Sequence, residues 1–202
     1  MNPYDRYLLP RVIDKVCGTG PIQKRRSALV PRAHGRVLEV GIGTGHNLPF
    51  YDTGKVSEVI ALDPAQQMHR RARDRAAEAG VTVRVLGLPA ETIPLEDDDV
   101  DTIVMTFTLC TIPDPAQALS EMRRVLKPGG ELLFCEHGAA SDAGVRKWQR
   151  RLNPVQRRLG GGCHLDRDIS GLIRGSFEIS DLDEGYAEGP RFAAYLYQGT
   201  AV

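Results

Sequence analysis

Arg36-Val37-Leu38-Glu39-Val40-Gly41-Ile42-Gly43-Thr44-Gly45, residues 36–45, is the stretch whose reading decides the fold. Residues 36–40 read as a short buried strand. The glycines that follow read as a tight turn in which missing Cβ atoms let backbone and ligand approach closely. Asp63 closes the next apolar run, Val59-Ile60-Ala61-Leu62. Its carboxylate is therefore expected beside the glycine turn, at the carboxyl edge of a parallel sheet, where it can accept hydrogen bonds from two adjacent ribose hydroxyls. Turn and acid together imply a nucleoside cofactor.

The turn narrows the nucleoside. The nicotinamide and flavin fingerprint has a third glycine where this chain has His46, and a P-loop needs a Gly-Lys-Ser/Thr tripeptide that does not occur here. Glu39 places an acid just ahead of the turn. A pyrophosphate would be repelled by it, whereas a ligand carrying an ammonium or sulfonium charge would be attracted.

Composition fits one soluble domain. The 202 residues suit a single core, and 26 basic residues balance 26 acidic ones, which removes the electrostatic case for a nucleic-acid partner. No stretch approaches the ~20 apolar residues of a spanning helix, and the start of the chain has no basic-then-apolar signal pattern. Cys17, Cys110, Cys135 and Cys163 are far apart with no Cys-x-x-Cys pair. Neither a metal site nor a disulfide framework is expected, and a cytoplasmic location is.

Strand and helix alternate along the chain. A polar, partly helical segment ends near Leu29-Val30-Pro31. Strands are expected at 36–40, 56–62, 81–86, 101–108 and 131–136, with closing strands near 177–186 and 193–198. Helices are expected at 65–79 and 115–126, the second ended by Lys127-Pro128-Gly129-Gly130, and a helical region from about Asp142. The pattern predicts an α/β fold with a mostly parallel sheet covered on both faces. The arginines at 70, 71, 73 and 75 read as a solvated helix face.

Taken in order, these motifs resemble the class I S-adenosylmethionine-dependent methyltransferases over nearly the whole chain. Val37 to Asn47 resembles motif I, and Ala61-Leu62-Asp63-Pro64 through Met68 the ribose and adenine segment. Pro89 to Leu95 resembles the adenine-side loop, while Val100 to Val104 and Leu126 to Gly130 resemble the later motifs. The resemblance implies a Rossmann-like, seven-stranded sheet whose last strand is antiparallel, in one domain over 1–202. Residues 1–35 would be a helical lid segment, 36–140 the cofactor-binding core and 141–202 the acceptor side. It implies S-adenosyl-L-methionine as cofactor. Glu39 and Gly41 would approach its methionine part, with Gly43, Gly45 and Asn47 completing the turn and Thr106 nearby. Asp63 and Pro64 would meet the ribose, Met68 the adenine face, and Ala90 and Glu91 the adenine edge.

Glu136-His137, Trp148-Gln149 and Gly162-Cys163-His164-Leu165-Asp166-Arg167 are similar to a narrower group, the alkyl thiol S-methyltransferases of the methyltransferase-like 7 type. Animal members of that group carry an apolar N-terminal anchor, which is not found in this sequence. Phospholipid N-methyltransferases and quinone-ring C-methyltransferases share the cofactor half. The expectation is therefore S-methylation of a small apolar thiol, with phospholipid N-methylation, quinone-type C-methylation and a non-catalytic nucleoside-binding domain as alternatives. His137, after strand five, is the candidate general base. Tyr4, Tyr7, Trp148, Cys163 and His164 are the candidate acceptor contacts. The basic helix around Trp148 is a candidate for peripheral membrane contact, and Gly160-Gly161-Gly162 reads as a mobile loop.

Overall fold

The computed structural model describes residues 4–202, without the side chains of Asp5 and Arg6; the first three residues of the expected lid segment lie outside the described residues. After a single wide turn at Tyr4–Leu8, the chain forms α1 (Leu9–Cys17), α2 (Gly20–Leu29), β1 (Gly35–Val40), β2 (Val56–Leu62), α3 (His69–Ala79), β3 (Val83–Leu86) and β4 (Val100–Thr106). It continues through α4 (Pro115–Val125), β5 (Leu126–His137), α5 (Ala143–Leu159), α6 (Ile169–Arg174), β6 (Ile179–Tyr186) and β7 (Tyr195–Ala201). No helix among the described residues is long and apolar enough to cross a membrane.

The seven strands form one sheet in the order β3-β2-β1-β4-β5-β7-β6. β1 to β5 pair in parallel, and β7 runs antiparallel to both β5 and β6. This is the class I methyltransferase architecture that the sequence resembles. Strands buried on both faces need apolar side chains on both, and β1, β2 and β4 supply them. Leu38, Ile60, Ile103 and Met105 enter one core with α4 and α6, while Val37, Val59, Ala61 and Val104 enter the other with α3. Each of these side chains except Ala61 contributes about 1.5–3 kcal/mol of burial.

Two connections depart from the expected alternation. Between β1 and β2 the chain makes only turns and a short 3-10 segment at Leu48–Phe50, where Pro49 removes a backbone donor. β5 begins at Leu126 rather than Glu131. Val100 pairs with Leu126 and then Thr102 with Glu131, so Lys127 to Gly130 bulges out of the ladder. Helix ends follow from local chemistry: Asp114 accepts from the Gln117 amide at 3.1 Å, and Asp142 from the Gly144 amide at 2.8 Å.

Candidate active site

In a doubly wound sheet the chain leaves the strands on either side of the order reversal in opposite directions, and this opens a crevice at their carboxyl ends. Here the reversal lies between β1 and β4. A cavity of about 540 Å³ occupies it, bounded by the glycine turn, the start of the β2–α3 connection, the loop after β4, α1 and the Gly160-Gly161 turn. That volume lies within the usual range of small-molecule sites, ~300–1,000 Å³.

The turn is built by close approach. Gly41 has φ +75°, and a Cβ there would lie 2.1 Å from the Thr108 hydroxyl oxygen. A Cβ on Gly45, φ +85°, would lie 2.8 Å from a Leu48 methyl and 3.0 Å from the Ala72 Cα. At Gly43 nothing lies nearer than the Met68 sulfur at 3.9 Å, so the backbone there faces open space. The Gly43 amide donates to Asp63 Oδ2 at 2.7 Å, and the Ala65 amide to Asp63 Oδ1 at 2.7 Å. A carboxylate has about four lone-pair sites, so each oxygen retains one for a diol. Burial raises the Asp63 pKa despite those two amides. The cradle and the acid fit the ribose and methionine parts of S-adenosylmethionine.

Of the sequence-predicted cofactor residues, Gly41, Gly43, Asp63, Pro64, Met68, Ala90, Glu91 and Thr106 line the cavity. Glu39, Gly45 and Asn47 do not. Glu39 is fully enclosed beneath the turn, accepting from Asn47 Nδ2 at 3.0 Å and from the Tyr51 hydroxyl at 2.9 Å. It braces the turn from beneath. Burial pushes its pKa up to about 7.

The sign of the resulting pH effect follows directly. The unfolded carboxyl releases its proton near 4.5 and the folded one near 7. Between those values the folded state binds more protons, so raising the pH removes stability, on the order of 3 kcal/mol in all. Glu39→Gln is expected to lack this loss. Urea titrations of both proteins at pH 4.5 and 7.5 check it; equal losses in the two would mean that Glu39 is ionised throughout.

The lid segment contributes to the cavity, but not through its tyrosines. Leu9, Ile13 and Cys17 line it, a stripe at i, i+4 and i+8 on α1. Tyr4 instead donates its hydroxyl to the Leu159 carbonyl at 2.6 Å, and Tyr7 is exposed. Asp14, on the same helix, accepts from Thr44 Oγ1 at 2.7 Å, Arg71 at 2.8 Å and Arg75 at 3.0 Å. Burial works against the Asp14 carboxylate, but the Thr44 and Arg75 hydrogen bonds outweigh it and its pKa is lowered. Two arginines of α3 therefore fasten the lid, which corrects the reading of that helix as merely solvated.

Arg26 of α2 escaped the sequence reading altogether. It is buried against the Phe107 ring, 5.3 Å from its centroid, and donates to Asn47 Oδ1 and Thr106 Oγ1. It lines the cavity, and its Nε has no partner among the described residues. Nothing local marks it, since it is one of two adjacent arginines in a polar helix. His46, at the missing third glycine, also lines the cavity; Gln23 Nε2 lies 3.0 Å from its Nδ1, and the Asp14 carbonyl 3.0 Å from its Nε2.

The remaining predicted residues lie off the cavity wall. His137 Nε2 is 3.0 Å from Cys163 Sγ, facing that thiol rather than the cavity. The Cys110 thiol and His137 together hold the Cys163 pKa well below its ordinary range, while the same hydrogen bond pushes Cys110 up. Burial opposes protonation of His137, but the Cys163 contact outweighs it and raises its pKa. The His164 amide donates to the Cys110 carbonyl at 2.9 Å, and burial lowers its ring pKa. Trp148 is 57% exposed on α5, under the Arg151 guanidinium at 5.5 Å.

The sequence matches the family model for a methyltransferase domain over residues 38–134. It is 35% identical over 136 residues to thiol S-methyltransferase TMT1B of Rattus norvegicus, covering 65% of this chain and 55% of that protein. It is 33% identical over 140 residues to phosphatidylethanolamine N-methyltransferase of Cereibacter sphaeroides, covering 68% of each. The chain spans just over half the length of the TMT1B relatives from rat and human, 55% and 57%. Its fold matches the crystal structure of an S-adenosylmethionine-dependent methyltransferase from Mesorhizobium loti with a TM-score of 0.65 at 20% identity, covering 91% of this chain and 98% of that one. Strand order, glycine cradle, ribose-side acid and these relatives agree on one assignment. The chain belongs to the class I S-adenosylmethionine-dependent methyltransferases.

Proposed function

We propose that this chain transfers the methyl group of S-adenosylmethionine to a small apolar acceptor, first of all a thiol. The observation that carries this reading is the division of the cavity. Its carboxylates, Asp63 and Glu91, belong to the segments expected to hold ribose and adenine, whereas Leu9, Ile13, Phe107 and Ile112 make the opposite side apolar. An ammonium acceptor would need an acidic cage or a committed base. A thiol ionises near ~8.5 and needs only a modest depression. The names of the rat and human TMT1B relatives support the same choice.

The bound donor would supply a sulfonium methyl, open to in-line displacement. The chain's own residues then do the positioning, which can contribute much of the acceleration. Asp63 and the Gly43 backbone orient the nucleoside, and the Arg26 guanidinium at the cavity wall supplies a positive charge on the side where the donor's carboxylate would lie. The apolar wall excludes water from the line of attack, which favours a step in which thiolate and sulfonium charges disappear together. The S–CH3 bond forms as the old C–S bond breaks, and the thiol proton passes to solvent. Since His137 faces Cys163, the acceptor's own ionisation suffices in this scheme.

A second reading is phospholipid N-methylation. Trp148, Val155 and Leu159 are exposed on α5, flanked by Lys147, Arg150, Arg151, Arg157 and Arg158, an arrangement suited to an anionic lipid surface. Methyl-labelled S-adenosylmethionine, offered with alkyl thiols, amines, quinols and phosphatidylethanolamine vesicles, separates the possibilities. Label in thiols is the expected result. Label in lipid transfers the case to the second reading, and donor binding without any transfer leaves a nucleoside-binding domain.

A further inference from the structure

Cys110, His137 and Cys163 are far apart in sequence and come from three different elements, yet Cys110 Sγ, Cys163 Sγ and a His137 ring nitrogen all lie within 4.8 Å of one another. Cys110 follows β4 in a loop entered through Phe107, which holds a left-handed φ of 56°. His137 ends β5. Cys163 follows the glycine turn, in which Gly161 and Gly162 have φ +64° and +92°. Glycine adopts such angles freely, whereas the left-handed Phe107 is a cost that surrounding structure has to sustain. Both thiols are buried. The methyl-transfer scheme above uses none of the three side chains.

We propose that these three side chains form a binding site for a soft, closed-shell cation of the Zn²⁺ class. Two sulfurs and an imidazole nitrogen are the donor set such ions prefer. In a tetrahedral site with metal–sulfur bonds of ~2.3 Å and metal–nitrogen bonds of ~2.0 Å, donors stand about 3.4–3.8 Å apart. The present spacing, 3.0 Å from His137 Nε2 to Cys163 Sγ and at most 4.8 Å for any pair, needs only side-chain adjustment to meet it. Two thiolates balance a divalent charge. The Glu136 carboxylate, buried beside His137 with Oε2 unpartnered among the described residues, adds negative potential. Arg167 spans the loop at the Leu109 and Ile112 carbonyls and limits that potential. The absence of a Cys-x-x-Cys pair excludes ligands paired along the chain, not ligands that the fold assembles.

Three protein donors leave one corner of a tetrahedron for an outside ligand, water or a small thiolate. The ion would also tie together the loop after β4, the end of β5 and the glycine turn, two of which wall the cavity. This inference goes beyond methyl transfer and is tested without the donor, so either can fail alone. The full chain, purified under a non-chelating reductant, is titrated with Zn²⁺ against a competing chromophore, and separately with Co²⁺. One equivalent bound, thiolate-to-cobalt charge-transfer absorption with tetrahedral visible bands, and at least 100-fold weaker binding in Cys110→Ser and Cys163→Ser are expected. Should the serine variants not fold, the cobalt spectrum of the unaltered chain still reports its thiolate ligands. No binding at micromolar Zn²⁺, a cobalt spectrum without thiolate bands, or folded variants that bind as well as the parent would overturn the proposal. So would a Cys110–Cys163 disulfide whose reduction restores no binding.

Discussion

Asp63→Ala is expected to weaken S-adenosylmethionine binding by ~100-fold or more, measured by calorimetry on protein whose circular dichroism is unchanged. Two hydroxyl donors to a charged acceptor are worth about 1.5–3 kcal/mol each, and every 1.4 kcal/mol is about tenfold in affinity. The same substitution leaves the Gly43 and Ala65 amides without their present acceptor, so the glycine cradle loosens as the ribose contact is lost. Asp63→Asn separates the two effects. Its remaining carbonyl oxygen can hold one amide, and affinity should fall between parent and alanine variant. Full affinity in Asp63→Ala would remove the ribose assignment.

Gly41→Ala is expected to lower stability by about 2–4 kcal/mol through steric overlap and backbone strain. The new methyl would sit 2.1 Å from the Thr108 Oγ1, 2.4 Å from its Cγ2 and 2.7 Å from its Cβ, on a backbone at φ +75°. Rotating the threonine cannot clear all three atoms. Thr108→Gly in the same chain removes the overlap but not the left-handed strain. The double variant should therefore recover most of the loss and remain about 1 kcal/mol below Thr108→Gly alone. A double variant no better than Gly41→Ala would mean that the turn tolerates no side chain for some reason other than Thr108.

How much of this was legible depended on how local each signal is. The strand-turn-acid grouping of Val40, Gly41, Gly43 and Asp63 is written in adjacent residues and in strand periodicity, and the sheet followed from it. The N-terminal segment does reach the cavity, through residues other than the two tyrosines. Tyr4 and Tyr7 drew attention as aromatics, whereas Leu9, Ile13 and Cys17 carry the helical stripe that faces the cavity. The spacing was there to be read. Arg26, Asp14 and the Cys110–His137–Cys163 cluster were not legible, because each depends on contacts between residues 21 to 80 positions apart. Glu39 shows the converse: the acid next to the turn was visible, but its burial under Tyr51 and its bracing of the turn were not.

Asp14 gives the doorway a particular character. One carboxylate fastens α1 to two guanidinium groups and a hydroxyl of the opposite rim. Partly exposed ion pairs of this kind weaken as dissolved salt rises. How firmly α1 is held to that rim therefore depends in part on the surrounding electrolyte. The apolar stripe of Leu9, Ile13 and Cys17 on the same helix has no such dependence on salt.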